Sequence, residues 1–324
     1  MQVDGHKKLT RHKKGRTIYD LIGDIHGHAT ELIRLLRHLG YVETTHGYQH
    51  SSRKVIFLGD FIDRGEALVE HKQLLSLVMK MVRSGNAQAV MGNHEFNALA
   101  YHTYVNGRPL RAHTSKNTKQ HQAFLNEFEN DSVTKKEVLE FFEGLPIWLD
   151  LEGLRVVHAC WDDAAVESLT RLNDGARMSH DLLVKASRPS SPEYKAVETL
   201  LKGCEAKLPR GISFLDKDGN RRDSVRMQWW KKNPNNIGDL ALPIGVDIGE
   251  AAMLPPPLDI PVYDKNAKPC FIGHYWLKGD PEPLSDNVAC LDYSVAKKGK
   301  LVAYRWSGEA VLTKDNFTFA NGAA

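Results

Sequence analysis

Cysteine is scarce in this chain. The 324 residues include four, Cys160, Cys204, Cys270 and Cys290, and no two of them form a C-x-x-C pair. Their dispersal excludes a disulfide framework of the small secreted kind, and a chain of this length can bury its own core without staples. All four are expected as reduced thiols, with Cys160 packed in the core two residues beyond His158. Long apolar runs are also missing. None approaches the roughly 18 residues needed to cross a bilayer, and the N-terminus lacks the apolar stretch of a signal peptide, so a cytoplasmic protein with no membrane partner is expected. Net charge is small too: 43 Lys and Arg against 40 Asp and Glu leave a formal +3, too little for a polyanion-binding surface over the whole molecule. The local exception is the basic stretch from Lys7 to Arg16. It is expected as a solvated N-terminal arm, residues 1–15, and only through it would nucleic acid be a partner.

What the chain does have is a set of short apolar runs that end on metal-binding side chains. Thr17-Ile-Tyr-Asp-Leu-Ile-Gly-Asp24, Lys54-Val-Ile-Phe-Leu-Gly-Asp60, Ala87-Gln-Ala-Val-Met-Gly-Asn93, Leu154-Arg-Val-Val-His158 and Pro269-Cys-Phe-Ile-Gly-His274 each read as a buried strand too short for a helix. In four of the five, Gly precedes the polar residue, where backbone must pass close to something. Five such endings imply strand ends that converge on one edge of a sheet, where α/β folds hold their ligands.

Helical patterns separate the first three runs. Leu32, Ile33, Leu35, Leu36 and Leu39 form an apolar stripe stopped by Gly40, and a second stripe spans about Glu66 to Arg83. The order β-α-β-α-β predicts parallel strands with right-handed crossovers, and so Asp24, Asp60 and Asn93 at the same ends of neighbouring strands. Further helices are expected at about Lys119 to Asn130 and Thr134 to Glu143, then strands at Pro146 to Asp150, Arg155 to His158, Val288 to Asp292, Leu301 to Arg305 and Glu309 to Leu312.

Asp24 and His26, two apart on a strand end, face the same way. Asp60 offers a carboxylate able to bridge two cations, Asn93 a neutral oxygen, and His158 and His274 two more imidazoles. This assigns Asp24, His26 and Asp60 to a first divalent metal and Asp60, Asn93, His158 and His274 to a second. Oxygen and nitrogen donors suit manganese, with iron, zinc, cobalt or nickel as alternatives, and disfavour a structural thiolate site. Two such ions about 3.5–4 Å apart would deprotonate a shared water and clamp a phosphoryl group for in-line attack.

In order along the chain, Gly23-Asp-Ile-His-Gly27, Gly59-Asp-Phe-Ile-Asp-Arg-Gly65, Gly92-Asn-His-Glu95, Val157-His158 and Gly273-His274 resemble the motifs of the calcineurin-like metallophosphoesterase superfamily. The Gly-Asp-x-x-Asp-Arg-Gly form is similar to its phosphoprotein phosphatase branch, which includes bacteriophage lambda phosphatase and the symmetrical diadenosine tetraphosphatases. The resemblance covers about residues 16–160 and 269–313. It implies that His94 is the general acid for the leaving oxygen, that Asp63 holds and tunes the His94 ring, and that Arg64 grips two phosphate oxygens. It also implies a second phosphate-gripping arginine between the last two histidine motifs: Arg210 and Arg226 are the candidates carried forward, with Arg222 a nearby rival. Trp276 stands where diesterases of the superfamily carry a further histidine, which favours a phosphatase-type site. Glu95 is expected to support its loop and not to bind metal, His28 and His46 to lie at the surface or behind the site, and Trp229 and Trp230 to pack the core of their own segment.

The expected fold is α/β, with two facing mixed β-sheets flanked by helices and a helical lid inserted between the fourth and fifth motifs. The boundaries are a core at 16–160 and 269–315, a lid at 161–268 and a tail at 316–324. The expected activity is hydrolysis of phosphomonoesters, including phosphoserine or phosphothreonine in proteins, with a dinucleoside polyphosphate such as diadenosine tetraphosphate as the enzymatic alternative and a non-catalytic binding module as the third reading.

Overall fold

The computed structural model describes residues 17–64, 70–173, 175–215 and 219–321. The basic stretch at 7–16 and the expected start of the second helix at 65–69 lie outside them.

Ile18–Ile22 (β1), Arg53–Phe57 (β2) and Ala87–Ala89 (β3) pair in parallel, with Leu21 opposite Ile56 and Ile56 opposite Gln88. Ala29–His38 (α1) and His71–Arg83 (α2) connect them, as the β-α-β-α-β order requires. The end of α1 follows its sequence closely. The Gly40 amide bonds to the Arg37 carbonyl and the Tyr41 amide to that of Leu36, a closure that needs the positive φ of Gly40, +90°.

Helix α3, Asn93–His102, follows β3 directly. The helix expected at Lys119 to Asn130 is two, Ser115–Gln120 (α4) and Gln122–Phe128 (α5), broken at His121. After Ser132–Glu143 (α6) come the antiparallel pair Trp148–Asp150 (β4) and Arg155–Val157 (β5). Residues 161–268 hold Asp163–Asn173 (α7), His180–Ala186 (α8) and Pro192–Lys202 (α9). They also hold a small antiparallel sheet of Glu205–Lys207, Ser224–Met227 and Ala241–Leu242, so this segment is less purely helical than expected.

Cys270–Ile272 (β6) lies between β5 and Val288–Cys290 (β7), parallel to both. The expected strand from Val288 to Asp292 divides at Leu291, whose amide bonds to the Ile272 carbonyl. Asp292–Tyr293 (β8) then joins the other sheet, pairing antiparallel with Lys300–Trp306 (β9), which in turn runs antiparallel to β1. One expectation at the C-terminal end is corrected. Glu309 to Leu312 is a turn and not a strand, because the Glu309 carbonyl accepts the Trp306 indole N–H and its carboxylate accepts the Ser307 amide. Within the stretch expected as a tail, Phe317–Asn321 (β10) is a strand that pairs with β9, Val302 opposite Phe319.

The two mixed sheets face each other across a buried cluster in which Leu21, Ile56, Val302, Tyr304 and Trp306 meet Val156, Phe271 and Ala289. The alternate residues Ile22, Val55 and Phe57 belong to the larger cluster with Leu32, Leu36, Leu74 and Val78 of α1 and α2. Period-two alternation thus explains how the first sheet is buried on both faces. Among the described residues no helix is long and apolar enough to cross a membrane, and all four cysteines are buried free thiols.

Candidate active site

Each expected ligand sits just past a strand end: Asp24 and His26 after β1, Asp60 after β2, Asn93 at the start of α3, His158 after β5 and His274 after β6. The structure brings all six together, and none is more than 8% exposed. From Asp60 Oδ2, His158 Nε2 lies 3.3 Å away and the Nε2 atoms of His26 and His94 each 3.9 Å. Asn93 Oδ1 lies 2.7 Å from His274 Nδ1 and 3.3 Å from His158 Nε2. Glycine makes the approach feasible: a Cβ at Gly273 would overlap Asp24 Oδ1, and one at Gly92 would overlap Asp60 Oδ1.

Backbone carbonyls aim two of the imidazoles. His26 Nδ1 is 3.0 Å from the Ile62 carbonyl and His158 Nδ1 is 2.7 Å from that of Leu58. A carbonyl only accepts, so each Nδ1 carries a hydrogen, and in the neutral ring each Nε2 is left to offer a lone pair to the centre. His26 Nε2 and His274 Nε2 are buried without a hydrogen-bond partner, a costly arrangement unless something electropositive binds there. Donor atoms of His26, Asp60 and His94 lie within 4.8 Å of one another, as do those of Asp60, His158 and His274. Asp60 is in both groups. His94 stands in the first where the sequence suggested Asp24, whose Oδ2 is 4.0 Å from His26 Nε2 and accepts the His274 amide at 3.0 Å.

The site also concentrates strain. His26, Asp60, Asp63, Arg64, His274 and Trp276 all have φ between +47° and +71°, a region that side chains other than glycine avoid unless their surroundings hold them. Burial and the nearby Asp292 push the Asp24 carboxyl well above its ordinary range. Burial acts on Asp60 in the same direction, but His158 and His94 outweigh it and hold that carboxyl well below. Burial pulls His26 down to about 3, whereas His158, despite its burial, rises to about 10 because it faces Asp60. Without cations a protonated His158 balances the buried carboxylate. Divalent ions would supply that charge instead, and the oxygen and nitrogen donors here fit them.

Beside these groups, His94 Nδ1 is 3.2 Å from Asp63 Oδ2. Burial opposes the Asp63 charge, yet His121 and His94 hold its pKa below the usual carboxylate range. Arg64 donates from Nε to His94 Nε2 at 3.3 Å, and its guanidinium lies 4.9 Å from the centre of the Trp276 ring. Glu95 supports its loop as expected: its carboxylate accepts the amides of Asp60, Phe61 and Gly92 at 2.8–2.9 Å, and burial followed by Asp60 raises it to about 7.

A cleft of about 1360 Å³ opens from this centre, lined at one end by Arg64, His94 and His274 and along its walls by residues of 161–268 that include Tyr194 and Arg226. Arg226 Nε is buried without a partner. Arg210, by contrast, is exposed in a turn and does not line the cleft. Trp229 and Trp230 are buried and do not line it either, and Trp229 Nε1 donates to the Ala159 carbonyl and the Tyr275 hydroxyl, as befits core residues. His46 is exposed, and His28 faces Glu31 at 3.5 Å.

Sequence reasoning passed over four further residues. Asp292 accepts the Trp276 and Ser294 amides and so shapes the loop after His274. It ends an apolar run, Val288 to Leu291, much as five of the six expected ligands do, and that was its signal. His71, Glu127 and His121, which hold Asp63 in place, had none, because their partners are distant in sequence.

The family model described as calcineurin-like phosphoesterase matches residues 19–202, more than half of the chain. Among curated proteins, the asymmetrical bis(5'-nucleosyl)-tetraphosphatase PrpE of Oceanobacillus iheyensis is 32% identical over 141 residues, 43% of this chain and 54% of that protein. Its counterpart in Bacillus subtilis is 30% identical over 145 residues, 44% of this chain and 57% of that one. The chain thus spans about half the length of these relatives. Among solved structures, a protein serine/threonine phosphatase from Saccharomyces cerevisiae with similarity to human phosphatase PP5 aligns at 14% identity with a TM-score of 0.49, over 96% of this chain and 81% of its own. The chain belongs to the calcineurin-like phosphoesterase family.

Proposed function

We propose that the protein hydrolyses phosphomonoesters at a pair of divalent cations, manganese being the metal of first choice. The first ion would be held by Asp24, His26 and Asp60, the second by Asp60, Asn93, His158 and His274. The observation that carries this reading is the membership of Asp60 in two donor groups at once. When bound, the ions activate water and neutralise phosphoryl charge. The chain's own residues do the rest. Arg64, braced on Trp276, and Arg226, with its buried unpaired Nε, hold phosphate oxygens from two sides. His94 gives a proton to the leaving oxygen as the P–O bond breaks, and Asp63 holds the resulting ring in place. Residues 161–268 form the roof of the cleft, and the four buried thiols fit a reducing, cytoplasmic setting.

A dinucleoside tetraphosphate is the second reading. The names of the curated relatives favour it, and so does a cleft of about 1360 Å³, larger than one phosphorylated side chain fills. Comparison of kcat/KM for a phosphoserine peptide and diadenosine tetraphosphate on manganese-loaded protein separates the two. A large preference for the peptide supports the monoester reading, and a large preference for the dinucleotide replaces it. Turnover of neither, with metal bound, would refute both.

A further inference from the structure

His121 lies at the one-residue break between α4 and α5, with φ −102° and ψ 6°. The break turns its ring inward, 5% exposed and stacked on Phe124 with ring centres 4.8 Å apart. A histidine whose only task was to fill that aromatic pocket would satisfy its N–H groups on nearby backbone. His121 does otherwise: its Nδ1 lies 3.1 Å and 3.2 Å from the two oxygens of Asp63, the carboxylate that His94 meets at 3.2 Å.

The hydrogens can be placed. An ionised carboxylate only accepts, so both Nδ1 atoms donate to Asp63. A neutral His121 then has its lone pair on Nε2, 3.2 Å from His102 Nε2, which must be the donor. Arg64, always a donor, meets the remaining nitrogen of His94. The α5 region also fixes the Asp63 backbone. The Asp63 amide donates to His71 Nε2 at 3.0 Å, and His71 Nδ1–H donates to Glu127 Oε1 at 2.8 Å. Asp63 sits at φ +67°, and such a conformation persists only where contacts over-determine it.

We infer that His121 is a positioning residue: it fixes the Asp63 carboxylate so that Asp63 in turn holds His94 on the leaving oxygen. It gives up no proton: the one that moves is carried by His94 Nε2 in the acid form, with Arg64 Nε turned from that nitrogen to phosphate. The inference rests on the proposed role of His94, and the test keeps the two apart.

The full chain is loaded with manganese and assayed on glycerol phosphate, an alkyl ester whose leaving oxygen needs a proton, and on p-nitrophenyl phosphate, whose leaving group does not. His121→Phe keeps the stacking and removes the donor. His121→Asn keeps an N–H near the Nδ1 position. For His121→Phe, kcat on the alkyl ester falls by about 10-fold or more, a usual loss for a group that orients another. The fall on the aryl ester is smaller, KM and manganese content hold, and His121→Asn recovers most of the loss. Equal losses on both esters, or no recovery with Asn, overturn the inference. If His121→Phe melts early, His121→Asn against His121→Gln decides, because the Gln amide reaches past the Nδ1 position: equal activity of the two overturns it. His94→Asn on the same esters tests the underlying reading. A discriminating His94→Asn beside a non-discriminating His121→Phe removes His121 alone, whereas a non-discriminating His94→Asn removes both.

Discussion

Asp60 is tied into the site by both oxygens: Oδ1 accepts the His94 amide at 2.9 Å while Oδ2 faces His158, His26 and His94. Replacing it with Asn keeps the shape and removes the charge that two cations would share. Asp60→Asn should therefore lower manganese content and activity together, measured by elemental analysis and turnover of the same sample. His94→Asn should behave differently, keeping the metal while kcat drops by about 10²–10⁴-fold, the usual range for a lost general acid. A His94 variant that emptied the site would make His94 a ligand, as its place beside His26 and Asp60 allows. At this scale much was legible, because Asp24, His26, Asp60, Asn93, His158 and His274 follow short strands in a fixed pattern. Ring orientation was not, since it depends on the Leu58 and Ile62 carbonyls, whose positions the loops decide. Nor could the sequence choose between Arg210 and Arg226, because only the small sheet at Ser224–Met227 turns one of them to the cleft.

At the scale of elements, buried polar ties hold the strands in place beneath the site. Asp20 on β1 accepts Arg53 Nε at 2.8 Å, and the same guanidinium donates to the carbonyls of Tyr19 and Trp306, linking β1, β2 and β9. Arg53→Ala leaves Asp20 with Arg305 Nε at 3.2 Å and the Tyr41 hydroxyl at 3.0 Å, so losing the charge-assisted bond should cost about 1.5–3 kcal/mol, read as a lower midpoint in urea. A second tie joins α5 to α2, where Glu127 accepts the His71 ring and the His71 and Lys72 amides. Burial disfavours the Glu127 charge, but these hydrogen bonds outweigh it and its pKa falls below the ordinary 4.5. A depressed acid contributes stability that is present above its unfolded pKa and lost as pH falls through the folded value. Glu127→Gln should flatten the acid limb of Tm against pH, while a slope unchanged below pH 4.5 would contradict the tie. Helix and strand positions were largely legible from periodicity, from Gly40 and from the β-α-β-α-β order. The failures share a cause. Each segment is redirected by hydrogen bonds that apolar periodicity does not carry, Leu291 to Ile272 and His121 to Asp63 from far along the chain, and Glu309 to Trp306 and Ser307 within its own turn.

For the whole molecule, two facing sheets carry the expected ligands at their strand ends, and the cleft that reaches this centre is lined in part by residues between Asp162 and Pro261, the stretch proposed as its roof. The core was legible because five motifs recur in order. The roof was not, because its residues meet the cleft through packing alone. If the centre holds cations only when folded, metal must stabilise the fold by mass action. Chelation should then lower Tm, and manganese should restore both Tm and activity; a Tm indifferent to chelation would argue that the buried carboxylates are balanced by His158 alone. The most direct test of the two-cation centre is anomalous diffraction at the manganese edge from crystals soaked in manganese. The expected map has two peaks about 3.5–4 Å apart with the Asp60 carboxylate between them, one beside Asp24 and His26 and the other beside Asn93, His158 and His274. A single peak, or a second one away from Asp60, would contradict it.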